Sequence, residues 1–410
     1  MTIKAIQARQ ILDSRGNPTI AVQMTTTKGV VHAMVPSGAS TGTHEAVELR
    51  DKTEAYGGTE VKKAIGNIHN RIAPHLIGKD ERNQEQLDNL MIDLDGTPNK
   101  SKLGANAILA VSMCISRAGA LTKGKELYEH INDLYNSDKK RSAPRIPMPY
   151  ANVINGGKHA PGRLAFQEFM ITPKRATSFT KATRMVVETY HELKGLIHKK
   201  YGSTAVGDEG GFAPNIASPD EALDLLQAAI KKSGHAISFA MDAAASEFYE
   251  NGNYVYEGKK HTSQELLELY KRLIRKYDVV SVEDPFFEDD FTSFAKLLKA
   301  TKKQIVGDDL TVTNLVRLKK AVEERSISAL LLKINQIGSI TESILAAKYC
   351  FDHNIKVMVS HRSGETSDAF IADLATGIGC GQIKLGAPAR SDRTAKYNRL
   401  LEIDETLKKH

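Results

Sequence analysis

Apolar residues interleaved with polar ones open the chain and give it three segments that read as β-strands. The segments cover residues 3–12, 18–27 and 30–35, and turn signals separate them at 16–18 and 28–29. Apolar residues then recur with the spacing of amphipathic helices, over residues 59–73, 80–94 and 104–124. This order predicts an antiparallel meander followed by helices, which together form an α+β domain.

The pattern changes after a polar stretch at residues 132–145, which contains the basic run Lys139-Lys140-Arg141. Short apolar runs then alternate with amphipathic helices, as in βα units built around a parallel sheet. We therefore predict an N-terminal α+β capping domain at 1–140 and an α/β catalytic domain at 141–410. A solvated surface loop and a functional basic patch are both open interpretations of the basic run.

Six of the apolar runs in the second part end in an ionisable residue. Those residues are Asp242, Glu283, Asp308, Lys333, His361 and Lys384. They follow one another at intervals of 41, 25, 25, 28 and 23 residues. A barrel of about 250 residues has ~31 residues per strand-plus-helix unit, and the carboxyl ends of its strands converge on one mouth. We therefore expect the six side chains to face one another at the mouth of a barrel.

The three carboxylates of this cluster, from Asp242, Glu283 and Asp308, point to a metal site. Carboxylates held close together repel unless a cation is present, and an all-oxygen set suits a hard ion such as magnesium. Lys333 follows the apolar run 329–332, and a partly desolvated lysine near cations would have a lowered pKa, as a general base requires. For any one of these residues, a charged side chain leaving the barrel edge into water is the competing interpretation, and His361 alone would more often be a hydrogen-bonded barrel histidine.

The charge and cysteine content exclude few function classes. The 410 residues include 56 Lys and Arg against 49 Asp and Glu, for a net charge of +7 and a pI near 9.0, and the basic residues are scattered. Substrate steering, salt adaptation and a nucleic-acid partner are each compatible with that balance. The three cysteines form no Cys-x-x-Cys pair, and no stretch approaches ~18 consecutive apolar residues. We expect a cytoplasmic protein without a disulfide framework or a membrane span, for which no nucleic acid is required.

Long motifs along the chain make the functional expectation specific. They are D-S-R-G-N-P-T at 13–19, V-P-S-G-A-S-T-G at 35–42, F-Q-E-F-M-I at 166–171, V-G-D-E-G-G-F-A-P-N at 206–215, S-E-F-Y at 246–249, V-E-D-P-F at 282–286, G-D-D-L-T-V-T-N at 307–314, L-L-L-K-I-N-Q-I-G at 330–338, S-H-R-S-G-E-T at 360–366 and Q-I-K-L-G-A-P-A-R-S-D-R at 382–393. In these motifs, and over nearly its whole length, the chain resembles the enolase family of phosphopyruvate hydratases.

This resemblance implies an eight-stranded α/β (TIM-like) barrel of the enolase type behind the N-terminal α+β domain. It implies a glycolytic and gluconeogenic lyase that reversibly dehydrates 2-phospho-D-glycerate to phosphoenolpyruvate. The family's chemistry is proton abstraction by a lysine, a magnesium-stabilised enolate and glutamate-assisted loss of the 3-hydroxyl. Two Mg²⁺ ions per active site and a homo-oligomer, either a dimer or an octamer, are further implications.

The resemblance also implies a role for each motif residue. The implied metal ligands are Asp242, Glu283 and Asp308 for the first magnesium and Ser40 for the second. The implied catalytic residues are Lys333, Glu209, Glu168 and His159. Lys333 would remove the proton from carbon 2, and Glu209 would help hydroxide leave carbon 3. The implied substrate-binding residues are Gln167, His361, Arg362, Ser363 and Lys384. Of these, Arg362 and Ser363 would bind the phosphate.

Two loops carry further expectations. The segment at 36–43 consists of small and polar residues, which cannot pack a core; its composition alone favours an ordinary loop, whereas the resemblance implies a mobile lid. Lys158 and the pair Pro161-Gly162 flank His159 in a loop that many members of the family fill with smaller residues. The conformation around His159 is therefore left open.

Two other functions compete with that of a hydratase. A racemase or acid-sugar dehydratase of the same superfamily would share the three carboxylate ligands and carbon-proton abstraction, but Glu209, Ser40 and the pair Arg362-Ser363 argue against it. A non-catalytic barrel that serves as a scaffold would be favoured by the loss of a ligand or of Lys333, and all of them are present. A secondary binding role leaves no motif and stays open.

Overall fold

The computed structural model describes residues 2–408 of the chain. Its strands are β1 (Ile3–Leu12), β2 (Pro18–Thr26), β3 (Gly29–Met34), β4 (Met148–Asn155), β5 (Glu168–Pro173), β6 (Ile237–Asp242), β7 (Tyr249–Glu250), β8 (Asn253–Tyr256), β9 (Lys259–His261), β10 (Val279–Glu283), β11 (Gln304–Gly307), β12 (Ala329–Leu332), β13 (Lys356–Ser360) and β14 (Gln382–Lys384).

The α-helices alternate with these strands in the second part of the chain. They are α1 (Lys62–Asn67), α2 (Ala73–Leu76), α3 (Gln84–Asp95), α4 (Ala105–Lys123), α5 (Leu127–Tyr135), α6 (Phe179–Tyr201), α7 (Pro219–Ser233), α8 (Ser263–Lys276), α9 (Phe291–Thr301), α10 (Leu315–Glu323), α11 (Ile334–Ile337), α12 (Ile340–Asp352), α13 (Phe370–Gly377) and α14 (Ser391–Leu407). A π-helical turn covers Ile68–Ile72, and turns of 3-10 helix cover Ala55–Gly58, Gly157–His159 and Ala245–Phe248.

The N-terminal part is an antiparallel sheet in the order β1-β2-β3, with helix α4 packed against β2 and β3, as predicted. The helix predicted at 59–73 instead begins at Lys62 and continues through the π-helical turn to Leu76. Its start is displaced because the Asp51 carboxylate accepts hydrogen bonds from the amides of Lys62 and Lys63. A cap from eleven residues upstream depends on tertiary structure, and local sequence signals do not reveal it.

The second part is a closed barrel in the strand order β10-β11-β12-β13-β14-β4-β5-β6, which confirms the predicted eight-stranded barrel. The expectation that all its strands are parallel is wrong for β5, which is antiparallel to both β4 and β6. Parallel strands need a long crossover connection, and residues 156–167 contain only one short 3-10 turn, so the chain folds back as a hairpin. This reversal places Glu168, the first residue of β5, opposite Asp242, the last residue of β6.

Helix α4 is long and apolar enough to cross a membrane by length and composition, but 83% of that segment is buried inside the protein. It carries buried apolar residues on every face, among them Ile108, Val111 and Ile115. A helix that is apolar all round is the core helix of a large protein or a membrane span, and here it packs in the core between the sheet and other helices.

In the polar stretch at 132–145, two residues of the basic run, Lys139 and Arg141, form ion pairs. Lys139 Nζ lies 2.9 Å from Asp352 Oδ1 at the end of α12, and the Arg141 guanidinium contacts both Asp352 and Asp138. These acidic partners offset the charge of the run, which favours a surface loop tied to the barrel over a free basic patch. The domain boundary near residue 140 stays a prediction.

Candidate active site

Buried charges meet at the mouth of the barrel, where the sequence predicts them. Lys384 Nζ lies 2.7 Å from Glu283 Oε1 and 3.0 Å from Asp242 Oδ2. These residues are the last residues of strands β14, β10 and β6. Lys384 Nζ also lies 3.0 Å from Glu168 Oε1, which the reversed strand β5 delivers to the same place. All four side chains are buried. The barrel therefore brings together three carboxylates and one ammonium group without any loop contribution.

A second ion pair completes this group of strand ends. Lys333 Nζ lies 2.5 Å from Asp308 Oδ2, and Gln336 Nε2 donates to the other oxygen of the same carboxylate at 2.7 Å. Burial lowers the pKa of Lys333, but the carboxylates around it, Asp308 before Glu283, raise it, and the pKa lies above its ordinary value. The lowered pKa expected for this lysine near metal cations stays a prediction, since the raised value comes from the protein groups alone.

The donor set at the mouth fits a hard cation. The carboxylates of the three predicted ligands, Asp242, Glu283 and Asp308, outnumber the two lysines. Within residues 2–408, Glu283 Oε2 and Glu168 Oε2 are buried without a hydrogen-bond partner. A buried, unpaired carboxylate oxygen is costly unless a cation or a donor compensates it, and oxygen ligands of this kind are those that magnesium prefers.

His159, Glu168 and Glu209 form a second cluster of buried groups. One nitrogen of the imidazole, Nδ1, lies 3.6 Å from Glu168 Oε1 and 3.6 Å from Glu209 Oε1. Burial and the Glu209 carboxylate raise the pKa of Glu168 well above its usual range. Burial alone would raise the pKa of Glu209 as well, but the N–H of His361 and the Arg393 guanidinium hold it below its usual range. A proton shared by the two carboxylates therefore rests on Glu168.

The protonation of His361 is set by a fully buried arginine that the sequence analysis did not single out. Arg393 Nη1 donates to His361 Nδ1 at 2.5 Å and also contacts the Arg362 carbonyl. Since Nδ1 accepts, the ring proton lies on Nε2, 3.3 Å from Glu209 Oε2. Burial lowers the pKa of His361 to about 3, so the ring is neutral at ordinary pH.

The predicted phosphate-binding residues lie beside this cluster, after strand β13. The Arg362 guanidinium contacts both oxygens of Glu45 at 3.1 Å, Asn335 Oδ1 at 3.0 Å and the Ser40 carbonyl at 3.0 Å. Its pKa is raised, since Glu45 outweighs the effect of burial. Ser363 Oγ accepts the amide N–H of Ala39 at 2.6 Å. Both side chains therefore contact the segment at 36–45.

The segment at 36–43 lies over the mouth of the barrel. Ser37 and Gly364 exchange backbone hydrogen bonds at 2.7 and 2.8 Å, and Thr43 bonds to the Glu288 carboxylate through its amide and its hydroxyl. Gly38 is required where the loop meets Arg362, because a Cβ there would lie 1.8 Å from Nη2. The Ser40 hydroxyl donates to Glu247 at 2.6 Å and does not face the three predicted ligands.

One small pocket connects the two clusters. Every predicted catalytic and substrate-binding residue lines it, and so does Ser40. The three predicted metal ligands lie behind that lining and hold two of its members, Lys333 and Lys384. The sequence did not point to Glu45, Gln336 or Arg393. Gln336 and Arg393 lie inside the motifs at 330–338 and 382–393, whereas Glu45 lies just after the motif at 35–42.

Models of two protein-family domains match the chain. The model described as enolase, N-terminal domain, matches residues 3–131, and the model described as enolase, C-terminal TIM barrel domain, matches residues 143–410. The chain belongs to the enolase family. Enolases are phosphopyruvate hydratases, lyases that interconvert 2-phosphoglycerate and phosphoenolpyruvate, and the family thus confirms the enzyme class that the sequence predicts.

Similar enolases cover the chain almost from end to end. The chain is 53% identical to the enolase of Methanocaldococcus jannaschii over 410 residues, which is 99% of this chain and 95% of that protein. It is 52% identical to the enolase of Methanococcus vannielii over 413 residues and to that of Methanopyrus kandleri over 416 residues. Membership of this family implies dependence on a metal, and the acidic clusters at the mouth could hold one.

Proposed function

We propose that this enolase dehydrates 2-phospho-D-glycerate reversibly, with Lys333 as the base at carbon 2 and Glu209 as the acid at the 3-hydroxyl. One observation carries the proposal: Lys333, Glu209 and Arg362 line the same small pocket. A base, an acid and an anion-binding fork are the three groups that elimination of water from a phosphorylated hydroxy acid requires.

Two Mg²⁺ ions are the proposed cofactors. Asp242, Glu283 and Asp308 would hold the first, since they supply buried carboxylate oxygens, and Ser40 would reach the second after its hydroxyl leaves Glu247. When bound, the cations would offset the second negative charge that proton removal places on the substrate carboxylate. Lys384 would remain beside Asp242 and Glu283 and add a positive charge next to that carboxylate.

The base must reach its neutral form before it can act. Lys333 is held protonated by Asp308, 2.5 Å away. Turning of Asp308 away from the lysine would remove the anion that raises the pKa, and burial would then lower it. The neutral amine could accept the carbon 2 proton, and the resulting ammonium group could return it in the reverse reaction.

The leaving hydroxyl needs a proton, which the cluster of His159, Glu168 and Glu209 would supply. Because the raised pKa keeps the proton on Glu168, Glu209 would take it over when the substrate oxygen approaches. His159, equally distant from both carboxylates, would keep them apart and bound in one geometry. Gln167, whose Oε1 is buried without a partner within residues 2–408, would accept a hydrogen bond from the substrate.

The phosphate would bind where Arg362 and Ser363 meet the segment at 36–45. A phosphate would replace the carboxylate of Glu45 on the guanidinium, since both present two oxygens to its fork. The segment at 36–43 would act as a lid that opens for exchange and closes over the bound phosphate. A capping domain at 1–140 and a barrel domain at 141–410 complete this proposal.

The wider role follows from the same reaction. We propose a glycolytic and gluconeogenic enzyme of the cytoplasm that works as a homo-oligomer, a dimer or an octamer, and needs neither nucleic acid nor a membrane. The test is an assay of the purified protein with 2-phosphoglycerate, in which the enol double bond is followed by ultraviolet absorbance. Turnover should stop in excess chelator and return with magnesium. Undiminished activity in chelator would refute the metal role, and turnover of an acid sugar in its place would support the competing dehydratase.

A further inference from the structure

Asp284 is a buried aspartate that follows the predicted ligand Glu283 and points away from the pocket lining. Its backbone has a left-handed conformation, with φ of 36°, which few residues other than glycine adopt. The next residue, Pro285, disfavours the right-handed helical conformation at position 284. Left-handed non-glycine residues persist only where the surrounding structure holds them, and they concentrate at functional sites.

The carboxylate of Asp284 reaches the end of the neighbouring strand. Its Oδ1 accepts the amide N–H of Asp308 at 2.8 Å, and its Oδ2 accepts the amide N–H of Asp309 at 2.7 Å. Both oxygens are thus bound to the backbone on which the predicted ligand Asp308 sits. Two amide donors to one buried carboxylate fix the direction of that backbone, because each bond has its own angular preference.

The backbone of Asp284 connects the remaining strand ends. Its N–H donates to the Val306 carbonyl of β11 at 3.1 Å, and its carbonyl accepts the Ala245 N–H at 3.1 Å, three residues after Asp242. The preceding carbonyl, of Glu283, accepts the Ala243 N–H at 3.0 Å. Asp284 therefore links the carboxyl ends of β6, β10 and β11. The three predicted ligands lie at or directly after these strand ends.

We propose that Asp284 is a positioning residue that sets the carboxylate of Asp308, and with it the spacing of the three-carboxylate ligand set, by binding the amides of Asp308 and Asp309. The inference rests on the proposed function for the ligand roles alone. Asp284, Asp308 and Asp309 also form an acidic group of a kind that could hold a cation. Asp284 is a poor ligand, because both of its oxygens already accept backbone amides, whereas Glu283 Oε2 has no donor among the residues that the structure describes.

The experiment compares Asp284→Asn with the matched variant Asp309→Asn. Both variants replace one carboxyl group of the same buried cluster by an amide. Only the first also removes a backbone acceptor, since within residues 2–408 no amide of these strand ends donates to the Asp309 side chain. Hydrogen exchange of the amides of Asp308 and Asp309 is measured in chelator-treated protein, with fragmentation to single residues, and magnesium affinity is measured by calorimetry.

In Asp284→Asn one side-chain oxygen remains, so we expect exchange to be at least about tenfold faster at the amide that loses its acceptor, and magnesium affinity to be about 10- to 100-fold weaker. In Asp309→Asn, exchange at the Asp308 amide should match the wild type. Equal exchange in Asp284→Asn and the wild type, or equal acceleration in both variants, would overturn the proposal. If Asp284→Asn does not fold, the wild type still decides: rapid exchange of both amides in the unaltered protein refutes the hydrogen bonds. Since this readout needs no turnover, it stands even if the chain fails to dehydrate 2-phosphoglycerate.

Discussion

The mouth of the barrel has two halves that are built in different ways. We call the strand-borne half the group of Asp242, Glu283, Asp308, Lys333 and Lys384. We call the loop-borne half the group of His159, Glu209, Arg362, Ser363 and residues 36–43. In the first, side chains at strand ends pair with one another as ions. In the second, side chains are held by loops, by backbone carbonyls and by the buried Arg393.

Because of this difference, the strand-borne half is fixed in position, whereas the loop-borne half depends on a segment that can move. The positions of the strand ends follow from the closed barrel, whose register no single loop can change. The loop-borne half keeps its geometry only while the segment at 36–43 lies on Arg362 and Ser363. We infer that the backbone positions of the proposed base and ligand set are fixed before substrate binds, whereas the phosphate site is completed by lid closure.

The largest effect is expected from Asp308→Asn in the strand-borne half. The substitution removes a carboxylate ligand and leaves the Lys333 ammonium beside a neutral amide; loss of one partner of a buried ion pair costs about 3–5 kcal/mol, or roughly 1,000-fold in an equilibrium. Magnesium affinity by calorimetry and turnover should both fall by about that factor. As a control, Asp373→Asn removes the buried partner of Arg399 and should lower the melting temperature while magnesium affinity is kept. An unchanged magnesium requirement in Asp308→Asn would contradict its role as a ligand.

A smaller effect, confined to the loop-borne half, is expected from Gly38→Ala. The added Cβ would lie 1.8 Å from Arg362 Nη2, so the lid must shift away from the guanidinium. A misplacement of about 1 Å near a reacting group costs about 100-fold in kcat/KM. Magnesium affinity without substrate should not change. The control is Gly195→Ala, at a helical glycine with open space around its Cβ position. Equal loss of magnesium affinity and of kcat/KM in Gly38→Ala would show that the halves are not separate.

The smallest effect is expected on the stability of the folded protein at acidic pH. His361 titrates near 6.5 when unfolded and at about 3 when folded, so the unfolded chain binds more protons between these values. Stability is therefore lost as pH falls from 6.5 towards 3, with a contribution of about 1.4 kcal/mol per pH unit from this ring. His361→Asn should remove that part of the slope in denaturant unfolding between pH 6 and 4. His75→Asn, at an exposed histidine, should leave the slope unchanged, and an equal effect of both variants would refute the assignment to the buried ring.

The strand-borne half was predictable because its signal is local. Each of its residues ends an apolar run, and the regular spacing of the runs indicates a barrel whose strand ends converge. The reversed direction of β5 was missed, although the absence of a helix between 156 and 167 is visible in hindsight as a short connection. That reversal is what adds Glu168 to the strand ends.

The loop-borne half was predictable only through the resemblance. Glu209 lies in a glycine-rich turn that has no functional signature of its own, and Glu45 meets Arg362 from 317 residues away. Arg393 reads as one more charge in a helix start, yet it is completely buried and sets the proton of His361. Contacts of this kind depend on how distant loops pack, and neither periodicity nor composition encodes them.

The central claim is that Lys333 in one half and Glu209 in the other perform separate steps of one reaction. It is tested by incubating 2-phosphoglycerate and magnesium in heavy water with Lys333→Ala or Glu209→Gln, while nuclear magnetic resonance follows the carbon 2 proton and the product. Lys333→Ala should show neither exchange nor product, since no base reaches carbon 2. Glu209→Gln should exchange the proton without forming product, since an amide cannot donate the proton that the leaving oxygen needs. Exchange in Lys333→Ala, or product at the wild-type rate in Glu209→Gln, would contradict the account.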